Sequence, residues 1–188
     1  MATNSKSKPI NGIDVEALQG FAGQVTGNPA AGMVTFDVMT TWEGGTRTRA
    51  TTMPIQLGDT SLERAFVIEA DEPVELLGSN QAPNPQELLL AALNACVTAT
   101  YAASAAAMGI ELKSLSIRTK GTLDLRGFLG IDPAINPGYD RVGYEVEIES
   151  PAEKSALERL HVRVQATSPN FHNFARAIAL NTKLTIRN

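Results

Sequence analysis

Along the first third of the chain, the spacing of apolar residues changes from helical to strand-like. Apolar positions three and four residues apart predict a short helix over residues 13–25. Beyond a break rich in proline and glycine, residues 33–40 alternate in the two-residue period of a strand. The threonine-rich residues 46–52 follow a Gly-Gly turn and predict the return strand of a hairpin. Residues 65–70 predict a third strand.

A long helix is the clearest element that the pattern predicts. Asn84 can cap its start, Pro85 suits the first turn, and Glu87 stands at the capping-box position. Residues 88–110 carry no charged side chain, and this length could span a bilayer. However, alanine dominates the segment, polar residues interrupt it, and no lysine or arginine cluster flanks it. We therefore expect a buried core helix that ends before Gly109, and no membrane partner.

The middle of the chain predicts two more strands. Residues 115–119 and 142–148 alternate apolar with polar positions, as half-buried antiparallel strands do. Between them, residues 121–139 are rich in glycine and proline and predict a loop.

The last 40 residues predict two helices and a closing strand. Residues 150–153 read Ser-Pro-Ala-Glu, which repeats the capping-box pattern and predicts a helix that runs to about Val164. A second short helix is predicted over residues 173–180, and residues 183–187 predict the strand. Strands and helices in this order indicate an α+β fold and not a doubly wound parallel sheet.

Length and charge narrow the function classes. A chain of 188 residues fits one domain, here residues 32–188, preceded by an N-terminal extension over residues 1–31 with the short helix. The net charge is −4 and the basic residues are scattered, so nucleic acid is not an expected partner. The polar N-terminus lacks a secretory signal, and a single cysteine excludes an internal disulfide. A cytoplasmic location is therefore expected.

The single cysteine, Cys96, lies about two and a half turns into the long helix, too deep for the helix dipole to activate it strongly. Free cysteine often serves as a small buried hydrophobe, so that interpretation stays open beside a reactive thiol. The residues on its helical face are small, among them Ala92, Ala99 and Ala103. Such a face suits ordinary core packing and also helix-to-helix packing across a dimer.

The two histidines, His161 and His172, leave a second chemistry open. A Cys-His pair would require the fold to bring His172 to Cys96, with Asn173 orienting the ring. Nothing in the spacing demands this pair. One cysteine and two distant histidines do not form a metal-ligand pattern, so neither a metal nor a cofactor is expected.

Residues 84–96, NPQELLLAALNAC, resemble the signature of the OsmC (osmotically inducible protein C) and Ohr (organic hydroperoxide resistance) thiol-peroxidase superfamily. In that family a helix begun by proline carries the peroxidatic cysteine. Residues 106–110, residues 124–130 and Ser168-Pro169 follow in family order, so the resemblance covers roughly residues 33–188. It implies an intertwined homodimer with antiparallel sheets around two long central helices and active sites at the subunit interface.

The resemblance also implies roles for individual residues. Cys96 matches the peroxidatic cysteine, whose thiolate attacks a hydroperoxide oxygen and becomes a sulfenic acid. A family arginine in the N-terminal hairpin stabilises the thiolate by its charge. Arg47 is the better match for that arginine, and Arg49 is the second choice.

At two positions the chain departs from the family pattern. The glutamate that follows the helix proline and holds the arginine is replaced by Gln86, with Glu87 displaced by one residue. The resolving cysteine is replaced by Ser168, so that an intramolecular disulfide cannot form. An external thiol would have to reduce the sulfenic acid.

These residues support three functional hypotheses. The first is a one-cysteine protein that reduces organic hydroperoxides with an external thiol as reductant. The second is a non-catalytic module that binds a hydrophobic small molecule at the dimer interface, which the changes at Gln86 and Ser168 favour. A third is acyl transfer that uses Cys96 with His172.

Overall fold

The N-terminal segment forms a helix that is attached to the rest of the chain. A computed structural model describes residues 8–187. Helix α1, Val15–Gly27, confirms the predicted helix, whereas residues 1–7 of the predicted extension lie outside the described part. Ahead of α1, the side-chain nitrogen of Asn11 donates to the Ile110 carbonyl at 2.9 Å, and its side-chain oxygen accepts from the Leu112 backbone N–H at 2.8 Å. These bonds hold the extension against the end of the long helix.

Six short strands follow and form two separate antiparallel sheets. One sheet has the order β1-β4-β5 and the other the order β2-β3-β6. The strands are β1 (Val34–Thr35), β2 (Val38–Trp42), β3 (Thr48–Thr52), β4 (Ile55–Leu57), β5 (Thr60–Leu62) and β6 (Val67–Ala70). The predicted hairpin and third strand are confirmed as β2, β3 and β6. The stretch predicted as one strand is split at residues 36–37, and its halves join different sheets. The β4-β5 hairpin was not predicted because three-residue strands are too short to show alternation.

Helix α2, Pro85–Ala107, is the predicted long helix, and its capping box is present. The Asn84 side chain accepts from the Gln86 and Glu87 amides at 2.8 and 3.1 Å, and the Glu87 carboxylate accepts from the Asn84 amide at 2.8 Å. Gly109 follows with φ of 69°, a left-handed conformation that glycine adopts without strain. The predicted start and end of this helix are therefore confirmed.

The second half of the chain supplies a hairpin-like pair of strands and three helices. The elements are β7 (Ser114–Gly121), α3 (Leu125–Phe128), β8 (Val142–Glu149), α4 (Lys154–Thr167) and α5 (Pro169–Ala175). Strands β7 and β8 pair antiparallel in the predicted positions. Helix α4 is confirmed, but its predicted capping is wrong because the helix begins at Lys154 with Glu153 at the N-cap and no side-chain capping bond. The Ser150 hydroxyl instead donates to the Glu111 carbonyl at 2.6 Å and accepts from the Ala152 amide at 3.1 Å.

Two predictions for the C-terminus are wrong. The last helix occupies α5 and not residues 173–180, because Pro169 starts a new helix directly after α4. Residues 177–187 form no strand, and their apolar side chains are exposed. A strand needs a neighbouring strand to receive its hydrogen bonds, and no other segment of residues 8–187 pairs with these residues.

The core lies between α2, α4 and the β7-β8 pair, with α5 against α2. Its buried residues are Leu93, Val97, Tyr101, Ala105, Ile110, Leu160 and Val164. This arrangement confirms an α+β fold with antiparallel sheets and a long central helix. The helix is long and apolar enough to cross a bilayer, but within one chain it packs as a core helix along one side. On the opposite side, Ala91, Ala95, Thr98 and Ala99 are exposed.

Candidate functional site

Cys96 lies where the α4-α5 junction crosses α2. Its sulfur is 3.6 Å from the Ser168 hydroxyl oxygen and 3.4 Å from the Asn170 backbone nitrogen. The local sequence explains this geometry: α4 ends at Thr167, and Pro169 begins α5 with Ser168 between the two helices. The structure thus brings together two of the predicted site residues that are 72 positions apart.

Asn170 anchors this junction to α2. Its side-chain amide donates to the Ala92 carbonyl at 2.9 Å, one helical turn before Cys96. The same residue therefore contacts α2 through its side chain and the Cys96 sulfur through its backbone N–H. Sequence reasoning missed Asn170, since a backbone donor leaves no signature in residue type.

The surroundings of the sulfur are polar on one side and open on the other. Ser168 is fully buried, with 0% of its surface exposed, whereas Cys96 is partly exposed. The Ser168 hydroxyl can donate to the sulfur or accept from it, and the Asn170 N–H can only donate. Around Cys96, Ala92, Ala95 and Ala99 face outward from α2. Within one chain, Cys96 is thus partly exposed, and its sulfur has polar neighbours on one side.

The two predicted arginines lie on the N-terminal hairpin and are engaged by neighbours there. The Arg49 guanidinium pairs with the Glu69 carboxylate at 2.8 Å across β3 and β6. Arg47 donates to the Glu43 backbone carbonyl at 3.1 Å. Within the described part of one chain, neither arginine hydrogen-bonds to Cys96. Of these two arginines, only Arg47 has a guanidinium that forms no ion pair with a carboxylate of residues 8–187.

Gln86 and Glu87 both serve the start of α2. The Gln86 backbone N–H donates to the Asn84 side chain, and the Glu87 carboxylate accepts the Asn84 backbone N–H. Within the described part of the chain, the Glu87 carboxylate caps α2 and forms no ion pair with Arg47 or Arg49.

The histidines take part in other contacts. His172 Nε2 contacts the Ala166 carbonyl oxygen at 3.1 Å, and Asn173 donates to Asn170 and not to the ring. Among residues 8–187, neither histidine hydrogen-bonds to Cys96, so the Cys-His arrangement that acyl transfer requires does not form within one chain. His161 bonds instead to the Tyr101 hydroxyl.

Tyr101 and His161 form a polar network beneath a groove between β8 and α4. Tyr101 is completely buried, and His161 Nε2 lies 3.1 Å from the Gln165 side-chain nitrogen, which is 3.3 Å from the Tyr144 hydroxyl. Burial raises the pKa of Tyr101 to about 12, and the nearby Tyr144 adds to the shift. The Tyr101 hydroxyl therefore stays neutral at physiological pH.

Known proteins share this architecture. The model of the OsmC-like protein family matches residues 78–183, more than half of the chain, including the long helix, Cys96 and Ser168. No curated protein matches the sequence.

Three solved structures illustrate the likeness in fold. An OsmC-like protein from Mycoplasma pneumoniae is 20% identical, with a TM-score of 0.58 over 75% of this chain and 87% of that one. An OsmC-like protein of unknown function from Vibrio cholerae is 13% identical, with a TM-score of 0.57 over 74% and 93%. A putative osmotic stress induced and detoxification response protein from Psychrobacter arcticus is 20% identical, with a TM-score of 0.53 over 75% and 88%. The chain belongs to the OsmC-like protein family.

Proposed function

We propose that this protein reduces organic hydroperoxides through Cys96, with an external thiol as the reductant. The observation that carries the proposal is the contact of a partly exposed sulfur with two polar groups, the Ser168 hydroxyl and the Asn170 N–H. In the dimer proposed below, a hydroperoxide would approach the sulfur through the space between the two copies, while the polar side accommodates the charge on the thiolate. The match to the OsmC-like family model covers the helix that carries Cys96, which supports this role for the thiol.

The proposed reaction balances without a metal or cofactor. The Cys96 thiolate attacks the outer oxygen of the hydroperoxide, the O–O bond breaks, and the alkoxide leaves and takes up a proton to become an alcohol. Sulfur loses two electrons and becomes a sulfenic acid. One external thiol then displaces water to form a mixed disulfide, and a second thiol releases the Cys96 thiol and an external disulfide.

The need for an external thiol follows from the serine at position 168. The hydroxyl lies within contact distance of Cys96, but oxygen cannot form the disulfide that a resolving cysteine would. The reductant must come from solution, which fits a reducing compartment such as the cytoplasm.

We further propose that the active unit is a homodimer in which Arg47 of one copy reaches Cys96 of the other. Among residues 8–187 of one chain, Arg47 makes no hydrogen bond to Cys96, and its side chain remains exposed. All five residues of β2 are exposed, and Trp42 is 74% exposed. This edge of the β2-β3-β6 sheet therefore has apolar surface that one chain leaves uncovered. Small exposed residues along α2 leave room for a second helix to approach closely. A second copy would cover both surfaces at once.

The proposal is tested by following the consumption of cumene hydroperoxide with dithiothreitol or glutathione as the thiol donor. The native protein should accelerate consumption, and Cys96→Ser should reduce the rate to that of the buffer. Equal traces for the two proteins would end the proposal. Light scattering on the same samples should give about twice the 20.0 kDa mass of one chain, and a monomer would contradict the proposed dimer.

A second candidate function is binding of a hydrophobic small molecule at the same interface, without turnover. The observation in its favour is that no cation bonds to the Cys96 sulfur within the described part of the chain. The pH profile of Cys96 alkylation separates the two functions, since this is the only thiol in the chain. A midpoint near or above the reference of about 8.5 would favour binding, and a lower midpoint would favour catalysis.

A further inference from the structure

Asp71 is a buried carboxylate that the proposed chemistry does not use. It is only 1% exposed, and no lysine or arginine of residues 8–187 forms an ion pair with it. One carboxylate oxygen accepts from the Thr46 hydroxyl at 2.7 Å and the Glu72 amide at 2.9 Å. The other accepts from the Ser79 hydroxyl at 2.7 Å, the Ser79 amide at 3.1 Å and the Gln81 amide at 3.1 Å. We call these five residues the Asp71 cluster.

The Asp71 cluster connects the hairpin turn to the start of α2. Thr46 directly precedes Arg47 in the turn between β2 and β3. On the other side, the Asp71 amide donates to the Pro83 carbonyl at 3.2 Å. The neighbouring Glu72 carboxylate accepts from the side chain of Asn84, the N-cap of α2, at 2.6 Å. One carboxylate and its neighbour therefore fix the turn that carries Arg47 relative to the helix that carries Cys96.

The loop between these segments is folded tightly around the carboxylate. A Cβ on Gly78 would lie 1.8 Å from the Glu72 carbonyl oxygen, so only glycine fits there. Leu77 and Asn80 have positive φ of 65° and 55°, a left-handed backbone conformation that residues other than glycine rarely adopt. Backbone strain of this kind persists only where the surroundings determine it, and it concentrates near functional sites.

A carboxylate is a costly residue to bury for packing alone. Burial of a charge is unfavourable unless hydrogen bonds compensate for the lost water, and an apolar residue would pack without that cost. Five directed hydrogen bonds, in contrast, define the position and orientation of every segment that donates them. The Asp71 cluster therefore provides geometric precision where the hairpin turn meets the helix start.

We infer that Asp71 is a positioning residue, which acts through Thr46 to hold the Arg47 turn in the place where its guanidinium meets the Cys96 sulfur of a second copy. This inference rests on the proposed function, since it assumes that Arg47 activates Cys96. Loss of the Thr46–Asp71 hydrogen bond lets the turn move, and the activation of Cys96 decreases although both reacting groups are still present.

The inference is tested by the pH profile of Cys96 alkylation in folded, dimeric variants. Arg47→Ala serves as the reference and should move the midpoint upward by about one pH unit, because it removes a charge beside the thiolate. Thr46→Val, which keeps the shape of the side chain but removes the donor, should move it by at least half as much. Thr46→Ser keeps the hydroxyl donor and should therefore have the native midpoint. Thr41→Val is the matched control, since its hydroxyl bonds to the Arg49 carbonyl on the same hairpin and not to Asp71.

A double variant distinguishes positioning from general loosening of the fold. If Thr46 acts through Arg47, Thr46→Val should add nothing to the shift caused by Arg47→Ala. A Thr46→Val midpoint at the native value, with Arg47→Ala shifted, overturns the inference and leaves the proposed function standing. The inference is also overturned if the midpoint shift of the double variant equals the sum of the two single shifts. If Arg47→Ala itself leaves the midpoint unchanged, the activation of Cys96 by Arg47 is wrong, and the inference fails with it.

Discussion

The Ser168 hydroxyl oxygen lies 3.6 Å from the Cys96 sulfur, in contact with the thiol although the two residues are 72 positions apart. Serine and cysteine differ by one atom, so a cysteine at this position would lie beside Cys96, whereas the serine hydroxyl cannot form a disulfide. Ser168 is fully buried, so the external thiol of the proposed reaction would have to reach Cys96 from another side.

Replacement of Ser168 by cysteine should create an intramolecular disulfide. A sulfur at the hydroxyl position needs only a small side-chain movement to reach bonding distance, about 2.05 Å. One equivalent of cumene hydroperoxide should then consume both free thiols of Ser168→Cys, as measured with a thiol-reactive chromophore. Ser155→Cys, on the exposed first turn of α4, is the matched control and should keep its added thiol. Equal thiol loss in the two variants would contradict the geometry of the site.

Removal of the Asn170 side chain should loosen the α4-α5 junction from α2. The lost bond to the Ala92 carbonyl joins two neutral groups, and such bonds contribute about 0.5–1.5 kcal/mol. We expect the free energy of unfolding in urea to be lower for Asn170→Ala by about this amount. We also expect Cys96 to be oxidised more slowly in this variant. Asn181→Ala, in the exposed C-terminal segment, should change neither quantity. Native stability in Asn170→Ala would mean that the side chain does not hold the junction.

The Asp71 cluster should make stability depend on pH in the acidic range. Its hydrogen bonds, chiefly those from Thr46 and Ser79, hold the pKa of the Asp71 carboxyl well below its ordinary value. Stability from this group is fully present above the unfolded-state pKa of about 3.9, and it is lost as the pH falls towards the folded value. The free energy of unfolding in urea should therefore differ between the native protein and Asp71→Asn by a constant amount above about pH 5, and this difference should narrow below pH 4.

Asp124 provides the control for that experiment. The Arg126 side chain lowers the pKa of Asp124 to about 2, but this ion pair lies at the surface. Solvent screens exposed pairs, so Asp124→Asn should change stability much less than Asp71→Asn at every pH. Equal effects of the two substitutions would show that burial of Asp71 does not strengthen its bonds.

Tyr101 should ionise only in strongly alkaline solution. Its pKa is raised to about 12, chiefly because burial disfavours the phenolate. The stability that this neutral hydroxyl contributes is present below the unfolded-state pKa of about 10 and is lost as the pH rises through 12. Absorbance of tyrosinate should show a late step near pH 12, coupled to unfolding, that is absent in Tyr101→Phe. A late step that persists in the variant would belong to another residue.

The sequence predicted those parts of the fold that local physics determines. The capping box of Asn84 and Glu87 defined the start of α2, and strict alternation defined β7 and β8. The β4-β5 hairpin was missed because its strands are too short for a periodic signal. The closing strand over residues 183–187 was wrong because a strand depends on a partner that an isolated segment does not specify.

The candidate site was predictable only in part. Sequence reasoning paired Cys96 with Ser168 through family resemblance, and the structure brings the two side chains together. It could not reveal Asn170, which contacts the sulfur through its backbone, or Asp71, whose five donors come from residues that look like ordinary turn residues. An arginine contact to Cys96 stays a prediction, because Arg47 in the β2-β3 turn and Arg49 on β3 are both exposed within one chain.

The most direct test of the account is a single turnover without any thiol donor. One equivalent of cumene hydroperoxide is added to the native protein, and sulfenic acid on Cys96 and released cumyl alcohol are quantified together by trapping and chromatography. The account predicts equal amounts of both, close to one per chain, and neither with Cys96→Ser. Hydroperoxide that remains intact beside an unmodified Cys96 would contradict it.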